Sequence, residues 1–336
     1  MSKQTVLTGI TTTGTPHLGN YVGAIRPAII ASNDAQVAPY YFLADYHALI
    51  KCHEPERVRQ SSLEIAATWM ALGLDTSNAI FYRQSDVPEI LELTWMLTCV
   101  TSKGLMNRAH AYKASVDENE QEGGADPDKG ITMGLFSYPV LMAADILMFN
   151  AHKVPVGKDQ IQHIEMARDI AGRFNHIFGE HFVLPEAVVD DNAATLSGLD
   201  GRKMSKSYNN TIPLFAEDEE IQKAVMSIVT DSKSPEEKKN PEEDNIFALH
   251  KLFSSVEQLE DIEKRYKEGG MGYKESKEIL IENVKKFITP LRERRKELEK
   301  DRGGIIKMLK ENGEKMRERA EKKMESVREK VGVSLK

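Results

Sequence analysis

The first half of the chain alternates short apolar runs with longer segments of helical periodicity. Apolar runs of strand length lie at residues 4–10, 40–43, 79–82 and 153–157. The spacing of apolar residues predicts helices at residues 21–31, 56–72, 88–101, 131–150 and 159–178. Strands that alternate with helices in this way are typical of a parallel sheet with right-handed crossovers. The pattern therefore predicts an α/β fold with a doubly wound, Rossmann-like parallel sheet.

Two segments of this half depart from simple amphipathic patterning. Residues 114–130 are polar, acidic and interrupted by glycine, so we expect a mobile loop there. Residues 88–101 carry a broad apolar face, which indicates burial on several sides and is compatible with a subunit interface.

The second half of the chain has a different texture. No strand pattern follows Pro213, and charged segments with helical periodicity continue to the end. We therefore expect a catalytic Rossmann-like domain at residues 1–200, which binds the small substrates, and an α-helical domain at residues 201–336 that begins with a lysine-rich loop. An arrangement in which the last part of the chain returns to the catalytic domain is left open.

Composition excludes several classes of protein. The 336 residues, 40% hydrophobic and 29% charged, suffice for two domains with proper cores. No apolar run approaches the roughly 18–20 residues of a membrane span, and no secretory signal pattern is recognisable, so we expect a cytoplasmic protein without a membrane partner. Cys52 and Cys99 have no metal-binding spacing, and no metal site is predicted on the protein itself.

The formal net charge of −7 is unevenly distributed. Residues 291–336 contain 16 Lys and Arg against 10 Asp and Glu, a net charge of +6, which leaves −13 for the preceding residues. A basic tail on an acidic body indicates a local contact with a polyanion, and Arg292, Arg294 and Arg295 form its densest cluster. The alternative is a salt-bridged helix face, which we rank first on the charge pattern alone.

Two short stretches carry the chemistry. Thr15-Pro16-His17-Leu18-Gly19-Asn20-Tyr21 follows the first strand at the start of a helix, where backbone N–H groups favour phosphate. Gly201-Arg202-Lys203-Met204-Ser205-Lys206-Ser207 places two lysines in a polar loop, suited to following a polyphosphate as its charge moves. Either stretch alone is weak evidence for a ligand, but the two together indicate a binding site for a nucleoside triphosphate.

The pair resembles the two signature motifs of class I aminoacyl-tRNA synthetases. Residues 16–20 stand for the His-Ile-Gly-His type, and residues 203–207 match the Lys-Met-Ser-Lys-Ser type in full. Residues 44–48 (Ala-Asp-Tyr-His-Ala), 138–147 (Tyr-Pro-Val-Leu-Met-Ala-Ala-Asp-Ile-Leu) and 154–160 (Val-Pro-Val-Gly-Lys-Asp-Gln) are similar to the bacterial type of tryptophanyl-tRNA synthetase. The similarity extends from residue 5 to at least residue 330.

The resemblance implies a tryptophan site. In it, Asp145 would accept the indole N–H, and Tyr138 and Gln160 would hold the amino and carboxylate groups of the amino acid. The remaining tryptophan-site residues would be Leu7, Gly9, His47, Met142, Val154 and Val156. Leu7 stands where many family members have an aromatic residue. From the residues alone, Asp145 could be an ion-paired helix carboxylate. An acid in an apolar helix needs a specific partner, however, and no Lys or Arg is adjacent in the sequence, so we favour a role in ligand binding.

The resemblance also implies an ATP site. Residues on the adenosine and phosphate side would be Gly9, Thr11, His17, Gly19, Asn20, Gly157 and Asp159, the last near the ribose. Contacts to the polyphosphate would come from Lys113 and from the loop residues Lys203, Met204, Ser205, Lys206 and Ser207. The catalytic residues among them would be His17, Asn20, Lys203 and Lys206. Thr11 and Lys158 depart from the usual glutamine and glutamate of the family.

The implied activity is the ATP-dependent attachment of L-tryptophan to tRNA(Trp), with Mg²⁺ as cofactor and a homodimer as the assembly. Tyrosyl-tRNA synthetase is the nearest alternative, since it shares the fold and the lysine loop. A nucleotidyltransferase with a His-x-Gly-His turn is a more distant one, as is a non-catalytic RNA-binding paralogue. The stretch around Asp145 favours the tryptophan enzyme.

Overall fold

A computed structural model describes residues 3–12, 16–123, 126–189, 196–205 and 208–335, except for the side chain of Asp159. The chain forms two compact units. Unit 1 comprises Met1–Thr13, Ala28–Asp190 and Asp301–Lys336, and unit 2 comprises Gly14–Pro27 and Asp191–Lys300.

A five-stranded, all-parallel sheet lies in unit 1. Its strands are β1 (Gln4–Ile10), β2 (Val37–Leu43), β3 (Ile80–Arg83), β4 (Lys153–Pro155) and β5 (Glu186–Val188). The strand order is β3-β2-β1-β4-β5, and every neighbouring pair is parallel. The order reverses at β1, where the chain crosses to β2 on one side and later to β4 on the other. This is the doubly wound arrangement predicted from the sequence, and its ligand-binding crevice is expected at the carboxyl ends of β1 and β4.

Helices form the rest of unit 1. Those before the last strand are α2 (Arg26–Ser32, whose first two residues belong to unit 2), α3 (Asp45–Ala48), α4 (Pro55–Ala71), α5 (Glu89–Val100), α6 (Lys103–Met106), α7 (His110–Gln121), α8 (Met133–Met148) and α9 (Ile161–Phe178). The core is built by α5, α8, α9 and the C-terminal helix, with residues from strands β1 to β4. Helix α8 is the most deeply buried of the three, because eight of its sixteen residues are buried, and this explains the breadth of its hydrophobic pattern.

The expectation of a mobile loop over residues 114–130 is wrong for its first part. Helix α7 runs to Gln121, and Tyr112 in its first turn packs edge-on against Phe136 with ring centroids 4.9 Å apart. The side chain of Asn119 donates to the carbonyl oxygens of Pro127 and Lys129, so the segment folds back on the helix. Alanine, glutamate and glutamine are good helix formers, and that propensity outweighs the polar composition.

The C-terminal helix α14 (Arg302–Val331) belongs to unit 1 and covers the edge of the sheet. The amide of Asn312 donates to the carbonyl oxygen of Phe81 in the edge strand β3 at 3.1 Å. Such cover removes an open strand edge on which other chains could pair. Arg317 pairs with Glu89, and Arg328 pairs with Glu92, both on α5. These two basic residues of the tail are thus paired with acidic residues of the same unit.

Unit 2 contains the segment 16–27, the lysine loop and four longer helices. The segment begins with α1 (Leu18–Asn20) and a π-helical turn (Tyr21–Ile25), so the helix predicted at 21–31 is irregular at its start. The longer helices are α10 (Asp218–Met226), α11 (Asn245–Phe253), α12 (Val256–Glu268) and α13 (Tyr273–Lys300). Phe247, Ile262, Tyr266 and Met271 form a small core among the last three.

Buried cations tie α13 to α10. Lys277 donates to the carbonyl oxygens of Met226 and Ile228, which closes the C-terminal end of α10. Arg292 donates to the carbonyl oxygen of Ala216 and to Asp218 at the other end of that helix. Arg292 therefore does not belong to a free basic surface for a polyanion. Its guanidinium is buried and paired with acidic residues, as the alternative of a salt-bridged helix face predicts. In the described part of the chain, no helix combines the length and apolarity needed to cross a membrane.

Candidate functional site

The centre of the site in unit 1 is the carboxylate of Asp145 on α8. Its residue is 1% exposed, and it lies within an otherwise apolar helix. The amide nitrogen of Gln84 donates to both carboxylate oxygens, at 2.8 and 3.0 Å, and Nε2 of His47 lies 3.0 Å from Oδ2. Burial raises the pKa of Asp145, while the hydrogen bonds from His47 and Gln84 act in the opposite direction. The partners that a buried acid requires are thus Gln84 and His47 rather than a lysine or arginine.

Gln84 is the residue that sequence reasoning missed. It follows β3 directly, is fully buried, and accepts the backbone N–H of Tyr46 at its Oε1. Next to it, Ser85 bonds the buried carboxylate of Asp45 through both its N–H and its hydroxyl. These bonds fasten the end of β3 to α3, the short helix after β2. A glutamine at the carboxyl end of a parallel strand was the available signal, because such ends converge on the crevice.

Aromatic side chains line one side of this carboxylate. The His47 ring stands edge-on to Tyr138, with centroids 6.2 Å apart, and Tyr138 stands edge-on to His163 at 5.2 Å. The Tyr138 hydroxyl lies 2.5 Å from Nε2 of His163, and burial raises the pKa of Tyr138. The structure therefore brings together three residues predicted for the tryptophan site, Asp145, His47 and Tyr138, and adds His163 beside them.

The other residues predicted for the tryptophan pocket belong to the surrounding core. Leu7 and Val154 are buried in the main cluster, and Met142 and Val156 pack against it while partly exposed. Gly9, near the end of β1, is exposed, and a Cβ there would lie 2.9 Å from the ring of Phe42. A side chain at this position would meet that ring, so the absence of one keeps the backbone accessible.

The junction after β4 supplies a second group of predicted residues in unit 1. Gly157 precedes the 3-10 turn Lys158–Gln160, and the N–H of Gln160 returns to the carbonyl oxygen of Gly157 at 2.9 Å. Asp159 lies in this turn, and its side chain is outside the described part. Thr11 is exposed just after β1, and Lys113 is exposed on α7. None of these residues makes a described contact with Asp145.

In unit 2, His17 immediately precedes helix α1 and lies beside the chain segment that follows the lysine loop. Its N–H donates to the side-chain oxygen of Asn20 at 3.1 Å, and it forms an isolated antiparallel bridge with Pro213. The N–H of Gly19 points at the sulfur of Met204, 3.3 Å away. A Cβ on Gly19 would lie 3.0 Å from His17 and 3.2 Å from Met204, so a larger residue here would force these side chains to shift. The two motifs are in direct contact here.

The lysine loop is organised around a second residue that sequence reasoning missed. Asn210 is buried, and its Oδ1 accepts the N–H of Ser205 at 2.8 Å. Its amide nitrogen donates to Asp200 at 2.6 Å and to the carbonyl oxygen of Lys203 at 3.2 Å. The side chain of Lys203 itself is exposed. Lys206 and Ser207, predicted for the same loop, lie outside the described residues.

Glycines make room for this arrangement. A Cβ on Gly198 would lie 2.2 Å from the amide nitrogen of Asn210. Gly201 has φ +83°, a left-handed conformation that favours glycine. The loop thus presents an exposed lysine from a backbone whose shape is fixed by internal hydrogen bonds.

Known proteins share both the sequence and the fold. A family model described as tRNA synthetases class I (W and Y) matches residues 1–289. Tryptophan–tRNA ligase of Neisseria meningitidis serogroup A is 54% identical over 333 residues, 99% of either chain. Its counterpart in Pseudomonas aeruginosa is 58% identical over 331 residues, which cover 98% of this chain and 73% of the relative.

A solved structure agrees. The tryptophanyl-tRNA synthetase of Campylobacter jejuni, complexed with ADP and tryptophan, superposes with a TM-score of 0.88 at 42% identity, over 98% of this chain and 100% of that one. The sheet order, the contact of the two signature motifs in unit 2 and these matches agree. The chain therefore belongs to the class I tRNA synthetases of the tryptophan and tyrosine family, in its bacterial tryptophanyl-tRNA synthetase branch.

Proposed function

We infer that the chain is a tryptophan–tRNA ligase, which uses ATP to attach L-tryptophan to tRNA(Trp). The observation that carries the amino-acid assignment is the buried carboxylate of Asp145, which lies in an apolar helix and is held by Gln84 and His47. The relatives at 54–58% identity are ligases of the same name. This identity does not favour the tyrosyl enzyme or a nucleotidyltransferase.

In the first step, a carboxylate oxygen of tryptophan attacks the α-phosphorus of ATP. A new O–P bond gives tryptophanyl-adenylate, and the bond to the bridging oxygen breaks to release diphosphate. The nucleophile is already ionised, so no general base is required, and catalysis consists of positioning and charge stabilisation. Tyr138 and Gln160 are the residues we assign to the amino and carboxylate groups of tryptophan.

We assign the phosphates to the residues of the two signature motifs. His17, Gly19 and Asn20 would contact the nucleotide, and the exposed ammonium of Lys203 would follow the charge that develops on diphosphate. Lys206 is assigned to the same task from its place in the motif. The residues Gly9, Thr11, Lys113, Gly157 and Asp159, with Met204, Ser205 and Ser207, complete the proposed ATP contacts.

Mg²⁺ fits this chemistry as a companion of the ATP phosphates. It keeps several waters and is usually held by phosphate oxygens with only one or two carboxylates. When bound there, it neutralises phosphate charge. The residues of this chain would orient the nucleotide and place the lysines beside the leaving group.

In the second step, a hydroxyl of the tRNA 3′ end attacks the tryptophanyl carbonyl, and AMP leaves. Selection of tryptophan would rest on the indole N–H, which donates to Asp145. A site built around such a hydrogen bond rejects an analogue without the donor by as much as ~10⁴–10⁵. Tyr138 and His47 would flank the ring, with Leu7, Gly9, Met142, Val154 and Val156 around it.

We propose a homodimer assembled through α5. Leu91 and Trp95 lie one helical turn apart on this helix, and Trp95 is 69% exposed. Large apolar side chains exposed together on one helix face are typical of a protein interface. The reaction uses tRNA and ATP, so we place the enzyme in the cytoplasm.

Amino-acid-dependent exchange of labelled diphosphate into ATP tests the proposed function. The purified chain with ATP and Mg²⁺ should incorporate label with L-tryptophan and not with L-tyrosine or L-phenylalanine. Exchange that depends on tyrosine would establish the tyrosyl alternative. No exchange with any amino acid would refute ligase activity and favour the alternative of a non-catalytic RNA-binding paralogue.

A further inference from the structure

Three elements of unit 1 converge on one amide. The side chain of Gln84, at the end of β3, donates to Asp145 on α8 and accepts the N–H of Tyr46 on α3. Because the N–H of Tyr46 occupies Oε1, the nitrogen end of the amide must face the carboxylate. The reversed orientation would set the amide oxygen against Asp145 and lose three hydrogen bonds.

The donors are shared unequally between the carboxylate oxygens. Among the described contacts, Oδ2 receives Gln84 and His47, whereas Oδ1 receives Gln84 alone. A carboxylate oxygen accepts about two hydrogen bonds, so Oδ1 retains acceptor capacity while Oδ2 is filled. The carboxylate cannot rotate without breaking these bonds, and the acceptor direction of Oδ1 is fixed before any ligand binds.

We propose that Gln84 is the positioning residue for tryptophan specificity: it fixes the orientation of the Asp145 carboxylate and directs the remaining acceptor site of Oδ1 to the indole N–H. This inference rests on the proposed function, because it presupposes that tryptophan is the amino acid activated. Gln84 does not contact the substrate. It acts through Asp145, and the backbone of α3 in turn fixes Gln84.

The arrangement suits selection at a buried site. An ordered, already bonded acceptor costs no reorganisation when the ligand arrives. Two hydrogen bonds from the amide also favour the charged form of the carboxylate, which burial otherwise disfavours. Ser85, which is bonded to Asp45, holds the turn that carries Gln84.

The test compares L-tryptophan with β-(3-benzothienyl)-L-alanine, in which sulfur replaces the indole N–H. Diphosphate exchange gives kcat/KM for each, and their ratio measures recognition of the N–H. Gln84→Met keeps the length and volume of the side chain but removes the amide. We expect this variant to lose at least about tenfold in kcat/KM for tryptophan, as for hydrogen bonds to a charged group. The value for the sulfur analogue should stay within about threefold, so the ratio collapses.

A ratio separates positioning from structural damage. Partial unfolding lowers the rates for both amino acids equally and leaves the ratio unchanged. Asn175→Leu is the matched control, because Asn175 is another amide of unit 1 that bonds backbone groups, those of His181 and Phe182, and it has no described contact with Asp145. This control should lower stability and keep the wild-type ratio.

Gln84→Asn provides a second variant if Gln84→Met does not fold. Its amide is one methylene shorter and cannot bridge Tyr46 and Asp145, so the same collapse of the ratio is expected. A wild-type ratio in variants that fold would overturn the role of Gln84 while leaving the ligase assignment intact. Absence of tryptophan-dependent exchange in the wild type would instead refute the proposed function itself.

Discussion

The side-chain oxygen of Asn210 accepts the backbone N–H of Ser205 at 2.8 Å, and the nitrogen of the same amide reaches the carbonyl oxygen of Lys203 at 3.2 Å. One buried side chain therefore spans the described part of the lysine loop. Without it, the loop backbone would lose the bonds that determine where Lys203 is presented. The lysines of the loop supply its positive charge, and Asn210, which follows the motif, determines the conformation of its backbone.

Asn210→Ala should weaken use of ATP without affecting the binding of tryptophan. Loss of the hydrogen bonds is expected to raise KM for ATP in diphosphate exchange about tenfold or more. Tryptophan affinity in the absence of ATP, measured by calorimetry, should be unchanged, because the tryptophan residues lie in unit 1. Gly198→Ala should act in the same direction, since its Cβ would displace the Asn210 amide. Gly172→Ala on α9 is the control, because its Cβ would meet nothing within 4 Å. Equal loss of tryptophan affinity would contradict this account.

Asp145→Ala should abolish selection of the indole N–H. The buried carboxylate is the group proposed to accept it, and its removal also leaves the amide of Gln84 without an acceptor. We expect the ratio of kcat/KM for tryptophan over phenylalanine and tyrosine to fall by at least about a hundredfold. Diphosphate exchange with the three amino acids measures this ratio. Unchanged discrimination would remove Asp145 from the specificity site.

Elements and residues could be predicted from the sequence where a local pattern of apolar and polar residues indicates their place in the fold. Strands β1 to β4 are short apolar runs that alternate with helices, and Asp145 is conspicuous because it interrupts an apolar helix. For Gln84 the sequence offered only its position at the carboxyl end of a strand. It lies in the polar turn Gln84–Asp86 after β3, and its importance comes from contacts with Tyr46 and Asp145, which are distant in sequence.

The same limit explains the other omissions. Strand β5 has only three residues, too few for an alternating pattern to be recognised. The periodicity of α14 predicted a buried face but not the surface it would cover, which is the edge strand β3 in unit 1. Amphipathic patterning shows that one face of a helix is buried, but it does not identify the surface against which that face packs. Long-range packing therefore could not be predicted from the sequence.

Arg292→Ala should lower stability rather than affinity for tRNA. The buried guanidinium bonds the carbonyl oxygen of Ala216 and the carboxylate of Asp218, so its loss should cost about 1–3 kcal/mol. A melting temperature reduced by several degrees checks this. Arg294 is exposed, and Arg294→Ala should leave stability unchanged. If the tail contacts tRNA, only the Arg294 variant should reduce the salt dependence of tRNA binding. The opposite pattern would restore Arg292 to the basic surface.

Trp95→Glu should convert the proposed dimer into monomers. A carboxylate at this place on α5 would be buried in the interface without a partner, which is strongly unfavourable. Sedimentation velocity at micromolar concentration measures the change. Val256→Glu on α12 is the matched control, because Val256 is as exposed as Trp95, at 69%, and lies on unit 2. A wild-type profile for Trp95→Glu would exclude this face of α5 from the interface.

His250 should make the stability of unit 2 depend on pH. It is fully buried on α11, its Nδ1 lies 2.7 Å from the Ser254 hydroxyl, and burial lowers its pKa to about 4 from the ordinary 6.5. Between these values the unfolded chain binds a proton that the folded chain excludes. The free energy of unfolding therefore rises with pH through this window, by up to about 1.4 kcal/mol per pH unit. Above pH 6.5 the contribution of His250 no longer changes with pH.

The corresponding experiment follows melting temperature from pH 7.5 to pH 5 in the wild type and in His250→Gln, which keeps a polar group that does not titrate. The pKa of His181 is also lowered to about 4, by burial and by the nearby cations of Lys323 and Lys330. Because His181 is present in both proteins, its contribution to the pH dependence cancels in the comparison. The wild type should lose more stability on acidification than the variant, whatever their difference at pH 7.5. Parallel curves would show that His250 takes up its proton without unfolding, and that its burial does not control the acid limit of unit 2.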